Sequence, residues 1–360
     1  MIDKEIVIDA ARGRWLEILP VLAPCLTDAA DAIGRHVTCP LHGGKADFRF
    51  HKTKGPESGL SFCSCGTRGG FQLLMELNHW TFPRALEAVA GFLNIDGGTK
   101  LTEAEKERLQ RKYSAYLKER DSKDAERGLH LAKLYNQIWS SAVYVGDRRA
   151  APLIDYLDSR SLKGAQLSGH VKFHNSMDYK TENGTFLFPA MLARVFDCVT
   201  GKPVTIHRTF LGVPAGWDRK RCLPVVSRTA NGWVIPVTSV SPEQRRAGVL
   251  GVSEGIETAL AVSIAERIPC WSTHSAGLLP TFTPPSWVKR LVVYADNDRS
   301  NTGIQAAAKL RQELKRKGWN IIVEIKLPRF LPDSAKSIDW ADVWRDCGVI
   351  GFNPNMALAA

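Results

Sequence analysis

Long hydrophobic runs are missing from this sequence. None of its apolar stretches approaches the ~20 residues that cross a bilayer as a helix, which excludes a helical membrane protein. The N-terminal MIDKEIVIDAARGRW has no signal-peptide core, so a cytosolic (cytoplasmic) chain is expected. In that reducing compartment Cys25, Cys39, Cys63, Cys65, Cys198, Cys222, Cys270 and Cys347 are not expected to form disulfides. A Walker A pattern is absent, which excludes a helicase motor within this sequence. There is no internal repeat and no long low-complexity tract. Acidic residues are in the minority, 37 against 48 Lys and Arg, for a net charge of +11. That balance favours polyanionic partners.

What is present is ordinary globular composition, 44% hydrophobic and 24% charged over 360 residues. This is enough for two or three compact units. Residues 1–98 read as a first unit, with strand alternation around Phe48–His51 and helices at Phe71–Leu77 and Pro83–Leu93. Residues 99–150 read as an exposed helical connector, opened by a capping-box pair, Thr102 and Glu105. Residues 151–247 read as a mixed α+β subdomain. It has a helix at Pro152–Ser159, strands in TFLFPAMLARVFD, PVTIHRTFLG and GWVIPVTSV, and a hairpin turn at CVTGKP. Residues 248–346 alternate strand and helix with short links, the pattern of a doubly wound parallel sheet. Residues 347–360 are a C-terminal tail. The expected class is thus multidomain α/β.

Two constellations carry chemistry. The first is CPLHGGKADFRF with FCSCGTRGG, which offers Cys39, His42, Cys63 and Cys65. Soft thiolates and an imidazole in two close pairs can close a tetrahedron around structural zinc. Gly43 and Gly44 help the first turn. The Cys63/Cys65 spacing is tighter than the usual Cys-x-x-Cys, and His36 is an alternative ligand. Arg35, Lys45, Arg49, Lys52, Lys54 and Arg68 surround the cluster, interleaved with Phe48, Phe50 and Phe62. Those aromatics either stack on the bases of a single strand or form a small core around the metal.

The second is acidic. Glu254 follows the strand VLGVS, Asp296 and Asp298 follow LVVYA, and SIDWADVW adds Asp339 and Asp342. Ligands of open α/β sheets bind at the carboxyl ends of strands. Unpaired carboxylates gathered there repel, and a hard divalent cation, Mg²⁺ or Mn²⁺, resolves the conflict. The alternative is that Asp296-Asn297-Asp298 caps the helix starting near Thr302. DRKRC, with Lys220 and Arg221, is a dense cationic stretch or a solvated loop.

VSEGIETALA and VVYADNDRSNTGIQAA resemble the TOPRIM domain of primases, type IA and type II topoisomerases and some nucleases. With CPLHGGKADFRF, LFPAMLARVFD, IHRTFLG and SAGL added, residues 34 to about 346 resemble zinc-ribbon plus TOPRIM DNA primases of plasmids and phages, relatives of bacterial replicative primases. The resemblance implies a nucleotidyltransferase, a DNA-directed RNA polymerase of primase type, for DNA replication. Glu254 matches the general base or metal-positioning acid, and Asp296 and Asp298 match the metal-binding pair, making these three catalytic. Asp339 or Asp342 would be a further ligand. Arg194, His207, Arg208, Lys220 and Arg221 would bind template and nucleotide, Ser275 would sit in a nucleotide-contacting loop, and Lys45 and Arg49 would touch DNA beside the zinc. The implied partners are single-stranded DNA, NTPs and a separate helicase, with no membrane. Competing readings are a TOPRIM nuclease, a topoisomerase, for which no tyrosine context is identifiable, and a non-catalytic DNA-binding module.

Overall fold

A computed structural model describes residues 2–43, 46–99, 101–226, 231–329 and 335–352, without the side chains of residues 112, 113, 116, 117 and 120. Lys45 lies outside these described residues. The chain divides into two compact units, Met1–Asp124 and Ala125–Ala360. No described helix is long and apolar enough to cross a membrane.

The first unit opens with three helices absent from the sequence reading: α1 (Lys4–Ala11), α2 (Trp15–Leu22) and α3 (Thr27–Asp31). Asp3 caps α1 by accepting from the Glu5 N–H at 2.9 Å. Helix α2 buries Trp15, Ile18, Leu19 and Leu22, one apolar stripe at helical spacing. Strands β1 (Arg49–Phe50), β2 (Ser61–Cys63) and β3 (Gly66–Arg68) form an antiparallel sheet, with α4 (Lys54–Ser58) between the first two. Helices α5 (Gly70–Asn78) and α6 (Phe82–Phe92) follow, close to the expected bounds.

Strand alternation divides the aromatics of this sheet. Phe48 and Phe50 are fully buried and meet edge to face at 5.4 Å. Arg49 and Phe62 are directly opposite each other on the other face, with the guanidinium 5.8 Å from the ring centre. Phe48 and Phe50 are thus the small core of the sheet, while Phe62 lies on the opposite face with Arg49. Phe48→Ala is expected to cost about 3–4 kcal/mol of unit stability, read as a lowered urea midpoint.

Helix α7 (Glu103–Ser141) begins with the expected capping box: Thr102 Oγ1 accepts from the Glu105 N–H at 3.2 Å, and Glu105 accepts from the Thr102 N–H at 2.9 Å. Its exposure does not persist. Leu131, Tyr135 and Trp139, spaced by four, are buried in the second unit, so only the first part of α7 is a solvated connector.

The second unit contains two larger sheets. After α8 (Ala151–Ser159), strands β4 (Val171–Thr181), β5 (Gly184–Asp197), β6 (Pro203–Phe210) and β7 (Lys220–Cys222) form an antiparallel sheet in chain order, and β8 (Trp233–Val234) pairs with β5. The expected β5–β6 hairpin is present. Strand β4 is unannounced by the sequence, because HNS and DYK break its apolar alternation. Past α9 (Pro242–Ala247) comes the parallel sheet. It contains β9 (Val249–Ser253), β10 (Cys270–Ser272), β11 (Arg290–Tyr294) and β13 (Ile322–Lys326), in the order β10-β9-β11-β13. Helix α10 (Ile256–Glu266) links β9 to β10. Between β11 and β13 lie β12 (Asn297–Asp298) and α11 (Thr302–Arg316), and β14 (Ser337–Ile338) leads into α12 (Trp340–Cys347).

Alternation along β11 shows why this sheet is doubly wound. Val292 and Tyr294 pack with α10 and α12 on one face. Leu291 and Val293 pack with Ala307, Leu310 and Leu314 of α11 on the other. The two sheets meet where Ile235 and Ser272 exchange backbone hydrogen bonds of 2.7 and 3.0 Å.

Candidate active site and metal centres

Strands β9 and β11 are adjacent and parallel, with Ser253 level with Tyr294. Glu254 is the first residue past β9 and Asp296 the second past β11, so both emerge at the same sheet edge. The chain then enters β12, where Asn297 pairs with Ile338 and Asp298 with Ser337. One step along that antiparallel register, Asp296 faces Asp339. Asn297 donates to the Pro328 carbonyl at 3.0 Å, which anchors the turn between the two acids.

The carboxyls sense one another. Burial, then the charges of Asp339, Glu254, Asp298 and Asp342, push Asp296 up to about 7. Burial raises Glu254, with Asp298 and Asp339 adding to it, while the Ala276 N–H and the Lys220 charge oppose the rise. Asp339 is also raised, chiefly by burial. Asp296 Oδ1 is buried with no hydrogen-bond partner. A donorless buried oxygen ringed by like charges suits a hard cation, so the residues fit Mg²⁺ or Mn²⁺. The set is open: no three of the carboxyls bring oxygens within 4.8 Å of one another.

Asp298 Oδ1 accepts from the Thr302 N–H at 3.0 Å and its Oδ2 from the Gly303 N–H at 2.9 Å, so the capping reading holds for this residue. The Ser300 hydroxyl also donates to it, and this bond first of all holds its carboxyl below the usual range. Asp298 therefore stays charged beside Asp296. Gly303 permits the close approach, since a Cβ there would lie 2.4 Å from the Asp296 carbonyl oxygen. Asp339 and Asp342 form a capping box on α12. Asp342 also pairs with Arg345 at 2.9 Å, an ion pair that Asp339 does not share.

The predicted cationic patch is split by strand alternation. In β6 and β7, Arg208 faces Arg221 and Thr209 faces Lys220. Lys220 turns toward the acids and pairs with Glu257 at 2.7 Å. Glu257 is buried and also accepts from the Tyr156 hydroxyl at 2.7 Å. Arg194, Arg208 and Arg221 take the opposite face. There Arg194 lies over Trp139 at 4.2 Å and Arg221 over Tyr179 at 3.9 Å. Arg208 donates to the Asp178 carbonyl at 2.9 Å. His207 departs from its expected role. It is buried, and desolvation first of all holds it down at about 3, so it is a neutral imidazole without the charge for a phosphate contact. The Ser275 loop touches the site through the neighbouring Ala276 N–H, which bonds Glu254. Glu257 and Tyr156 went unnoticed in the sequence, where Glu257 reads only as an acid in a helical first turn.

The N-terminal cluster is tighter. Ligand atoms of Cys39, His42, Cys63 and Cys65 all lie within 4.8 Å of one another. Cys39 Sγ is 3.8 Å from Cys65 Sγ, and Cys63 Sγ is 3.7 Å from His42 Nδ1. Zinc bond lengths at tetrahedral angles put two thiolates about 3.8 Å apart and a thiolate and an imidazole about 3.6 Å apart. The donor set fits zinc. Gly43 takes a φ of 70° in the Cys39–His42 turn, and His36 stays outside the cluster. Burial pushes the Cys39 thiol up to about 12. Cys65 lies below its ordinary value: desolvation opposes this, but hydrogen bonds with Cys63 and Cys39 and the Arg68 charge outweigh it. His42 Nε2 is 3.2 Å from Asp47, which also accepts from Ser64. That carboxylate holds the imidazole with Nδ1 toward Cys63, the orientation a zinc ion there would need, and the spacing of the ligands does not reveal it. The described cysteines are all free thiols.

Comparison with known proteins agrees with this anatomy. Residues 34–71 match the zinc-binding domain of primase-helicase, and residues 249–349 match the Toprim domain. Residues 130–228 match a domain of unknown function (DUF7146). The chain thus joins a primase-type zinc-binding domain to a Toprim domain.

No curated protein is significantly similar in sequence. Among solved structures, the RNA polymerase domain of Mycobacterium tuberculosis primase DnaG is 16% identical, with a TM-score of 0.37, over 66% of this chain and 83% of its own. The E. coli primase catalytic core is 13% identical, with a TM-score of 0.42, over 63% and 78%. The Aquifex aeolicus primase, with zinc-binding and RNA polymerase domains, is 12% identical, with a TM-score of 0.38, over 95% and 85%.

Proposed function

We propose that this chain is a DNA primase that makes short RNA primers from NTPs on single-stranded DNA, working with a separate helicase in replication of a plasmid, phage or other mobile element. The observation that carries this reading is Asp296 Oδ1, buried without a donor where the Toprim acids converge. A divalent ion held by Asp296, Asp298 and Asp339 would neutralise a triphosphate and acidify a primer 3′-hydroxyl. Glu254, its carboxyl raised by burial, can accept the hydroxyl proton. Lys220, steered by Glu257, offers positive charge on the same side. Asp298 remains ionised because helix α11 and Ser300 donate to it. Arg49 and the ring of Phe62 present a cationic, stackable face to a single strand.

The test is template-directed incorporation of labelled NTPs with Mg²⁺ or Mn²⁺. Asp298→Asn is expected to abolish synthesis, by about 10²–10³-fold, while circular dichroism stays that of the parent. Unchanged synthesis would remove Asp298 from the site. A labelled strand that shortens instead would make the acids those of a nuclease.

A further inference from the structure

The proposed synthesis leaves a second cluster of metal-binding side chains unused. His207 and Cys222 face each other across β6 and β7, and His274 follows β10 of the parallel sheet. Their ligand atoms lie within 4.8 Å of one another. Cys222 Sγ is 2.9 Å from His274 Nε2 and 3.9 Å from His207 Nδ1. A thiolate and an imidazole on one zinc ion sit about 3.6 Å apart, between those two values. A ring shift under about 1 Å would satisfy both bonds.

Two observations set the cluster apart from chance packing. His274 adopts a φ of 71°, the left-handed region that non-glycine residues avoid. Its other nitrogen, Nδ1, is buried without a partner, so no hydrogen bond there explains the ring's orientation. What the strained backbone achieves is the contact with Cys222. His207 Nε2 lies 3.3 Å from Thr209 Oγ1, which can take its N–H and leave the Nδ1 lone pair facing Cys222. The nearby cation Lys220 is balanced by Glu257.

We propose that His207, Cys222 and His274 bind one zinc-class divalent ion through Nδ1, Sγ and Nε2, with the fourth position open to water or a ligand. One thiolate and two imidazoles select a borderline-soft ion over Mg²⁺. Such an ion ties β7, and the Lys220 it carries, to the edge of the parallel sheet. This site is independent of the primase reading, because its test counts metal.

Elemental analysis of the full chain, purified without chelator, is expected to find two zinc ions per chain. Cys222→Ser and His274→Ala should each lower the count to one, and His42→Ala, in the N-terminal cluster, should also leave one. Cobalt-loaded His42→Ala protein should keep a thiolate-to-cobalt absorption band that Cys222→Ser then removes. One zinc in the unsubstituted chain overturns the proposal whether or not the variants fold. Two zincs in folded Cys222→Ser protein overturn it as well.

Discussion

Asp296→Asn is expected to lose about 10³-fold or more of template-directed incorporation and to melt above the parent protein in EDTA. The activity loss follows from removing the acid on which the other carboxyls converge, worth roughly 4 kcal/mol of barrier. The gain in stability has a separate origin. Asp296 has its carboxyl raised from 3.8 to about 7, because burial and four neighbouring acids disfavour the charge. The folded state therefore holds this proton more tightly than the unfolded chain does. Its contribution is fullest below about pH 4 and is lost as the pH rises to about 7. Asparagine carries no such cost. The melting gap between variant and parent should open across that window and level off above it, by about 2–4 °C for each kcal/mol relieved. Added Mg²⁺ should raise the parent and leave the variant nearly unmoved. A variant that synthesises primers normally, or melts lower than the parent at pH 8 in EDTA, would remove Asp296 from this role.

Lys220→Ala is expected to destabilise the second unit by about 2–3 kcal/mol, far more than loss of a surface ion pair. The partners are unequal: the Lys220 side chain is 49% exposed and that of Glu257 only 5%. Truncating the lysine leaves a buried carboxylate with the Tyr156 hydroxyl as its remaining side-chain donor. The half-exposed ammonium tempers the figure. Glu257→Gln on the Lys220→Ala background should restore most of the stability, because the amide keeps an acceptor for Tyr156 and carries no charge. It should not restore synthesis if Lys220 supplies charge to the acidic edge. The double-mutant cycle in urea reads the first effect and primer yield the second. Additive losses, with no rescue, would mean that the pair is not coupled.

Much of the site was legible in the linear chain because its signals are local. VLGVS and LVVYA are buried strands, and acids placed immediately after them must emerge at a carboxyl edge. Cys39/His42 and Cys63/Cys65 announce a cluster because each pair sits in one short turn. That the cationic residues divide between two faces was not legible, for a physical reason. Residues adjacent in sequence alternate faces in a strand, so His207 and Arg208 part company once β6 forms. The end of α7 misled because charged neighbours hide a stripe of Leu131, Tyr135 and Trp139. Asp47, Tyr156 and Glu257 carry no motif, and their roles arise from partners far away or across a turn.

By itself, then, the linear chain determined the repeating strand–helix order, the zinc-type ligand pairs and the acids at strand ends, since each depends on spacing within a few residues. Only the tertiary structure decided that Asp339 faces Asp296, that Lys220 serves Glu257, and that His274 meets His207 and Cys222. Those encounters depend on sheet register and on which strands lie side by side, and both are set by burial of whole faces.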